Sequence, residues 1–366
     1  PGNDSAPRRT HNAINRHTGA VLDGSLFSLE ALPPGSRTTV CLWLHHDATV
    51  TTQDAERFLA DLVAIISSGL TLGGNCARGI GLVRCNGPAL YRVFDCTECN
   101  EHAAFLDEQF TWKNGTLPTA GRPLAPSDLT QLSTLRITLE LCVPTAQDLL
   151  IADGQGLDYE MEPQRVRSCD GKLYWRIPGS SLRGVFRAWC TRLAACAGRQ
   201  VADDAARWNE QRTLSGDDLA WGGDNESMRK QKQNDLAEDP DALPEKIPCP
   251  IMRLFGSSYS KSRIHFSDAI SSAGPKDTQV SMPEQLRMHV AVDRITGGAN
   301  DGFLFDNTVL TSGPRFKCDI TIKHPEEEEV RWLAGTLRAL HLGILRIGSS
   351  KAGGRLAIAA VTSAEG

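Results

Sequence analysis

This 366-residue chain holds no apolar run near the ~18–20 residues that a bilayer-crossing helix needs, so no membrane span is expected. It shows no initiator Met and no basic-then-apolar leader; no signal peptide is expected, and the start at Pro1-Gly2 reads as an internal segment or a processed piece. Missing too are a Gly-x-Ser-x-Gly elbow, a Walker loop, an HExxH pair and a dinucleotide fingerprint, which sets aside the chemistries those motifs carry. Positive charge is not in excess: the net charge of −5 argues against a general polyanion binder. The remainder is ordinary for a globular protein, with 40% hydrophobic and 23% charged residues. The length fits two domains, or one plus most of another.

Eleven cysteines are present, and Cys41, Cys85, Cys142, Cys190, Cys196 and Cys318 sit in apolar strand or helix contexts. Buried free thiols in a reducing cytosol fit that distribution better than a disulfide framework, so a cytoplasmic protein is expected. Charge is uneven. From Pro163 to Arg212 there are ten Lys/Arg against four Asp/Glu, and from Gly216 to Glu245 nine acids against three bases. A basic face beside an acidic loop fits a localised phosphate-binding surface, and equally a solvated helix followed by a polar loop.

The chain repeats itself. Asn15-Arg16-His17-Thr18-Gly19, followed by Gly24, Leu26 and Phe27, matches Asp293-Arg294-Ile295-Thr296-Gly297, followed by Gly302, Leu304 and Phe305, at an offset of 278 residues. After each copy come a strand pattern, a Leu/Ala-rich helix pattern and a Gly-rich turn: Gly73 to Gly81 in the front copy, Gly348 to Gly354 in the rear one. An ordered set of features recurring at one long period fixes architecture more firmly than any single motif.

Periodicity predicts strands over Thr38–Leu44, Ile80–Cys85, Leu135–Val143, Lys172–Ile177, Arg263–Phe266, His289–Val292, Arg315–Lys323 and Arg355–Val361. Helices are predicted over Asp54–Ser68, over Leu182–Ala197 behind a Pro178-Gly179-Ser180-Ser181 turn and cap, and from Glu326 to about Leu342 with acids in the first turn. The Pro- and Gly-rich stretch 118–130 reads as a linker, and about 200–247 as a mobile hydrophilic insertion. The rear copy, 131–366, then reads β-α-β-β-α-β, the ferredoxin-like arrangement of an α+β protein. The front copy, 1–117, supplies only the later half; its opening strand and first helix are expected from an upstream stretch or another subunit.

Five features in order carry a resemblance: the strand Leu135–Val143, the turn Ile177 to Gly184, Arg253-Leu254-Phe255-Gly256 leading into Arg263 to Asp268, the Asp293-Arg294-x-Thr-Gly-Gly hairpin, and the last Gly-rich turn. Together they resemble the RAMP backbone subunits of type III CRISPR effectors, and the tandem copies resemble fused forms such as the single-chain type III-E effector or a type III-D fusion subunit. The resemblance implies tandem modified RNA-recognition (ferredoxin-like) units gripping a guide (crRNA). A "thumb" hairpin from each wedges into the guide–target duplex, and other RAMP units lie in the same polypeptide or complex. Base pairing would read sequence while protein reads backbone and shape. No strand carries the aromatics on which bases stack in ordinary RNA-recognition domains.

The family's catalytic aspartate falls on the loop after the first strand, where Gly156-Leu157-Asp158 matches its Gly-x-Asp context; Asp153 is the second candidate and Asp148 the third. A carboxylate there would hold Mg²⁺ or Mn²⁺, or orient the ribose 2′-OH, for cutting complementary target RNA. By residue type alone the same aspartate is a turn residue bonding its own backbone. Gly179, Ser180, Ser181 and Arg183 at a helix start, with Arg187 one turn on, form a candidate phosphate seat or an ordinary cap. Arg16 and Arg294 at the hairpins are expected to touch RNA. Gly348, Ser349 and Lys351, and Gly73, Gly74 and Arg78, are candidate phosphate cradles or simple turns. Cys96, Cys99 and His102 are a weak zinc set, one ligand short of the usual four. Cys249-Pro250-Ile251-Met252 has Met where the second cysteine of the family's zinc knuckle would stand.

The expectation is an RNA-guided endoribonuclease segment. The alternatives are a non-catalytic guide-binding subunit and a guide-processing endoribonuclease, which would need a histidine acid–base centre that the sequence does not locate.

Overall fold

The structure is a computed structural model and describes residues 8–11, 27–45, 49–113, 121–127, 133–152, 161–169, 171–199, 201, 249–256, 261–275, 284–348 and 354–365. It divides into a larger unit, Pro1–Thr38 with Gly74–Ile80 and Leu132–Gly366, and a smaller one, Thr39–Gly73 with Gly81–Gln131.

The larger unit opens with a short antiparallel ladder of β1 (Arg8–His11) and β2 (Phe27–Glu30), in which His11 faces Phe27.

In the smaller unit, α1 (Thr52–Gly69) begins where Thr51 caps it, its hydroxyl accepting from the Asp54 amide at 3.1 Å. Two-residue strands β3 (Leu70–Thr71) and β4 (Leu82–Val83) pair with each other, and β5 (Ala89–Tyr91) pairs with β6 (Arg122–Leu124). Between the last two lies α2 (Cys99–Lys113). The strand over Ile80–Cys85 is thus shortened to two residues, and the stretch read as linker contains β6. The strand expected over Thr38–Leu44 does not form. In the rear copy its counterpart lies between two neighbouring strands, whereas here Val40, Leu42, Trp43 and Leu44 are exposed and have no ladder partner among the described residues. A strand's backbone donors and acceptors need neighbours, and alternation alone does not supply them. Trp43 instead meets Phe105 edge to face at 5.1 Å. Among the described residues of this unit only Ala55 and Ala64 are buried.

The larger unit has a core of its own. Strand β7 (Thr134–Cys142) alternates strictly, burying Leu135, Ile137, Leu139 and Leu141. After it come β8 (Arg165–Arg167), β9 (Leu173–Ile177), α3 (Gly179–Cys196) and the single turn and a half of α4 (Pro250–Phe255). Then follow β10 (Ile264–Phe266), β11 (Ala269–Ser271) and the long hairpin β12 (Glu284–Val292) and β13 (Ala299–Leu310). Strand β14 (Arg315–Lys323), α5 (Glu327–His341) and β15 (Ala357–Glu365) complete the chain.

The sheet order is β15-β7-β14-β11-β9-β8, with β10 also on β14 and every ladder antiparallel. Strands β10 and β11 are one strand interrupted at Ser267-Asp268. Counting them once gives the 4-1-3-2 order of a β-α-β-β-α-β unit, extended at one edge by β8 and β9. Helix α3 offers Leu182, Phe186, Cys190 and Ala194 along one stripe, and α5 offers Trp332, Leu333, Thr336, Ala339 and Leu340. Both join the same core as the sheet, and Cys190 Sγ meets Thr336 Oγ1 at 3.3 Å where the helices touch. A reciprocal capping box between Glu326 and Glu329 starts α5. Helix α3 starts without a side-chain cap: Pro178 holds the cap position, and Ser180 and Ser181 lie inside the first turn.

Candidate functional site

The β12–β13 hairpin is built to stand away from the sheet. Its tip is organised by Asp293, whose Oδ1 accepts from the amides of Ile295 (2.8 Å) and Thr296 (2.7 Å) and from the Thr296 hydroxyl (3.1 Å). These bonds, the Thr296 amide first, hold the Asp293 carboxyl below its usual pKa. Gly297 takes φ +68°, closing the turn where a side chain would be strained. Arg294 is exposed beside Asp293, and Ile295 next to it is 96% exposed. The root is fixed instead. Glu284 accepts from Arg165 Nη2 at 3.0 Å and from Trp175 Nε1 at 2.5 Å, and Arg287 makes a two-point bond to Asp148 at 3.0 and 3.2 Å.

Three segments converge on that root. Leu149 bridges Leu310, and Met161 bridges Asn307, with the Thr308 amide donating to Met161 O at 3.0 Å. Ala152 bridges Pro163, and the Gln164 side-chain amide donates to Ala152 O at 2.9 Å. Both ends of the loop carrying Asp153 and Asp158 are therefore pinned beside the hairpin root, while those two aspartates lie outside the described residues. Asp148 is already engaged by Arg287. The last Gly-rich turn leaves and rejoins the structure here too. The Gly354 amide donates to Asp148 O (2.9 Å) and the Ile347 amide to Gly354 O (2.8 Å). Gly348, at φ +123°, packs so closely that a Cβ would sit 2.5 Å from Leu150 O. Ser349 and Lys351, on the turn itself, lie outside the described residues, as does Arg16.

A second cluster gathers at the start of α3. The Gly179 amide donates to Asp268 Oδ1 at 2.9 Å, so this donor of the candidate phosphate seat is engaged by the chain's own carboxylate. Arg9 Nη1 lies 2.7 Å and Arg176 Nη1 3.7 Å from Asp268 Oδ2. The Ser181 amide turns back to Pro178 O at 2.9 Å, and Ser180 is half-buried. Arg183 donates to Phe255 O and lies over that ring; Arg187, one turn on, is also half-buried. The short 3-10 turn Cys76–Arg78 packs against α3 and β10, leaving Arg78 exposed. Burial lowers the pKa of His11, and the charges of Arg176, Arg78 and Arg9 lower it further. Gly74 is exposed at the entry to this turn; Gly73, the last residue before it, has φ +84°.

In the sequence Asp268 stands out only as the last residue of the Arg263-to-Asp268 stretch. Its partner Arg9 lies 259 residues away, and no local pattern announces such a bond. Cys96 and Cys99 are exposed free thiols flanking the start of α2, with His102 in its first turn. Among the described residues no group of three or more His, Cys, Asp or Glu is placed to hold a metal. No described helix is long and apolar enough to cross a membrane.

An antiparallel 4-1-3-2 sheet with two helices and a projecting hairpin defines an RNA-recognition-like α+β protein. A sequence model of the RAMP superfamily matches residues 2–84 and 154–356, most of the chain, and the chain belongs to that superfamily. No curated protein matches it. Two matched regions correspond to the two copies of the repeat, and the membership assigns a CRISPR-associated, RNA-binding role beside guide RNA and other Cas subunits.

Proposed function

We propose that this chain is a guide-RNA-holding backbone segment of a type III CRISPR effector of the fused kind, and that its own loop 153–160 cuts complementary target RNA. The observation that carries the reading is the convergence at the hairpin root. The anchored ends of that loop, the root of the hairpin and the ends of a Gly-rich turn share one place, so a strand held by the hairpin would run beside the loop's anchored ends, Ala152 and Met161. When bound, a divalent cation such as Mg²⁺ or Mn²⁺ would supply charge neutralisation at the scissile phosphate, with Asp158, or Asp153, as its protein ligand. Phosphates of the guide would be met by Arg294, Arg183, Arg187 and Lys351.

Two experiments test this. Asp158→Ala, with Asp153→Ala beside it, is assayed for cleavage of guide-complementary RNA in the assembled complex. Loss of one cut with guide binding intact is expected; retention of every cut in both variants leaves a purely structural guide-binding subunit. Joint charge reversal of Arg183, Arg294 and Lys351 is expected to weaken guide binding and flatten its salt dependence by about three in log–log slope at most. Unchanged binding would remove the grip from these residues.

A further inference from the structure

The two strands of the β12–β13 hairpin are held at the root by different means. Among the described residues, backbone bonds tie only β13 to the rest of the unit. Leu149 and Leu310 exchange bonds of 2.7 and 2.8 Å, and the Thr308 amide donates to Met161 O. A ribbon tied along one strand is free to swing about that strand. Strand β12 is tied by side chains instead, and from both faces. Glu284 and Arg287 lie three residues apart in an unbroken stretch of the ladder, and so stand on opposite sides of the ribbon.

On one face Glu284 takes Arg165 Nη2 at 3.0 Å on each oxygen, and it accepts from Nε1 of the fully buried Trp175. A buried indole N–H has to find an acceptor, so this clamp is anchored in the core. Arg165 also reaches Glu162, which follows Met161. On the other face Arg287 grips Asp148 through two nitrogens, at 3.0 and 3.2 Å. That pair is 44% and 34% exposed and contributes little to stability; what a two-point guanidinium–carboxylate bond supplies there is direction. The front hairpin lacks this arrangement. At the offset of 278, Arg9 stands for Arg287 but Ala6 stands for Glu284, and Arg9 goes to Asp268.

We propose that Glu284 and Arg287 are positioning residues: two opposed clamps that fix the angle of the hairpin, and with it the phosphate at which the RNA beside it is cut. The proposal rests on the reading that this hairpin holds RNA, and not on which carboxylate cuts. Pulled from both faces, the ribbon tips neither way. Release of either clamp lets it swing and shifts the held strand relative to Ala152 and Met161, and a shift of about 1 Å is enough to cost about a hundredfold in rate.

The angle is measured without RNA, by double electron–electron resonance between nitroxides on p-azidophenylalanine replacing Ile295 at the tip and Arg331 on α5, both well exposed. The full chain is expected to give one narrow distance distribution. Arg287→Ala is expected to broaden it, as is Glu284→Gln, which keeps an acceptor for Trp175. The cut beside the hairpin is then mapped to the nucleotide on guide-complementary RNA in the assembled complex. Arg287→Ala should lower the single-turnover rate at the principal phosphate by about ten- to a hundredfold and spread cutting to its neighbours, with guide and target affinities unchanged. The charge swap R287D/D148R should restore the narrow distribution and the single cut, which a general loss of folding would not allow. The proposal is overturned if neither variant broadens the distribution, if the hairpin loosens and the cut stays sharp, or if the swap restores neither. It is also overturned if Arg287→Ala weakens RNA binding at an unchanged angle, which would make Arg287 an RNA contact. If Asp158→Ala and Asp153→Ala leave every cut in place, the nuclease reading fails alone, and the clamps are still judged by the angle and by the cut that remains. Absence of any cut beside this hairpin in the unaltered complex overturns both.

Discussion

Gly354 leaves no room for a side chain: at φ +77° its Cβ would overlap Ile347 O, on the segment that holds the roots of the Gly-rich turn and the hairpin together. Gly354→Ala is expected to cost about 1–3 kcal/mol of stability, read as a lower urea midpoint with unchanged m-value. Asp268 is the opposite case, a side chain that several groups require. Asp268→Ala leaves the buried Arg9 and Arg176 facing a void and is expected to cost about 3–5 kcal/mol. Glu329 gives a pH signature. It is fully buried, and burial pushes its carboxyl above the ordinary value near 4.5, more than Arg263 and the Glu326 amide pull it back. A raised folded pKa means the folded state binds the proton more tightly than the unfolded chain. That contribution is present below the unfolded pKa and lost as pH rises through the folded one. Glu329→Gln should therefore flatten the fall of stability with rising pH just above 4.5, measured by denaturation at closely spaced pH.

Elements whose partners lie within the chain were legible from pattern alone. Arg315–Lys323 alternates and is a strand of those same bounds, and α5 starts at its acidic turn as its capping residues require. The pattern at Thr38–Leu44 is as strong and yields no strand; among the described residues it has no ladder partner, whereas its counterpart β14 is paired on both sides. Helix α2 went unread for the converse reason: CNEHAAFLDEQFTWK has no apolar stripe, so periodicity gives no signal. The pinned roots of the 153–160 loop were legible only as a position after a strand, since Met161, Asn307 and Gly354 come together through tertiary pairing. The two kinds of apolar strand residue should respond differently. Leu139→Ala, in β7, is expected to cost about 2–5 kcal/mol by leaving a cavity. Leu42→Ala should change stability by less than about 0.5 kcal/mol, both read from chemical denaturation.

For the whole molecule, the β-α-β-β-α-β order of elements in the rear copy set the α+β class, while the meeting of the front copy's turn and arm with the rear copy's sheet had no sequence signal. Residues 8–11 and 74–80 join the larger unit through Asp268, Gly179 and β10, so the family match in the front copy includes residues that belong to the larger unit. The place of β7 between β14 and β15 carries a further consequence, for how the chain acquires its shape. Thr138 bonds Asp319, 181 residues on, and Cys142 lies beside Ala357, 215 residues on. β7, which lies between β15 and β14, is thus synthesised long before either neighbour. On the ribosome both its edges stay open while some 170 further residues emerge, a contact order that makes folding slow and leaves a Leu- and Ile-rich edge available for wrong pairing. The larger unit can close only when β15, which ends at Glu365, has been made.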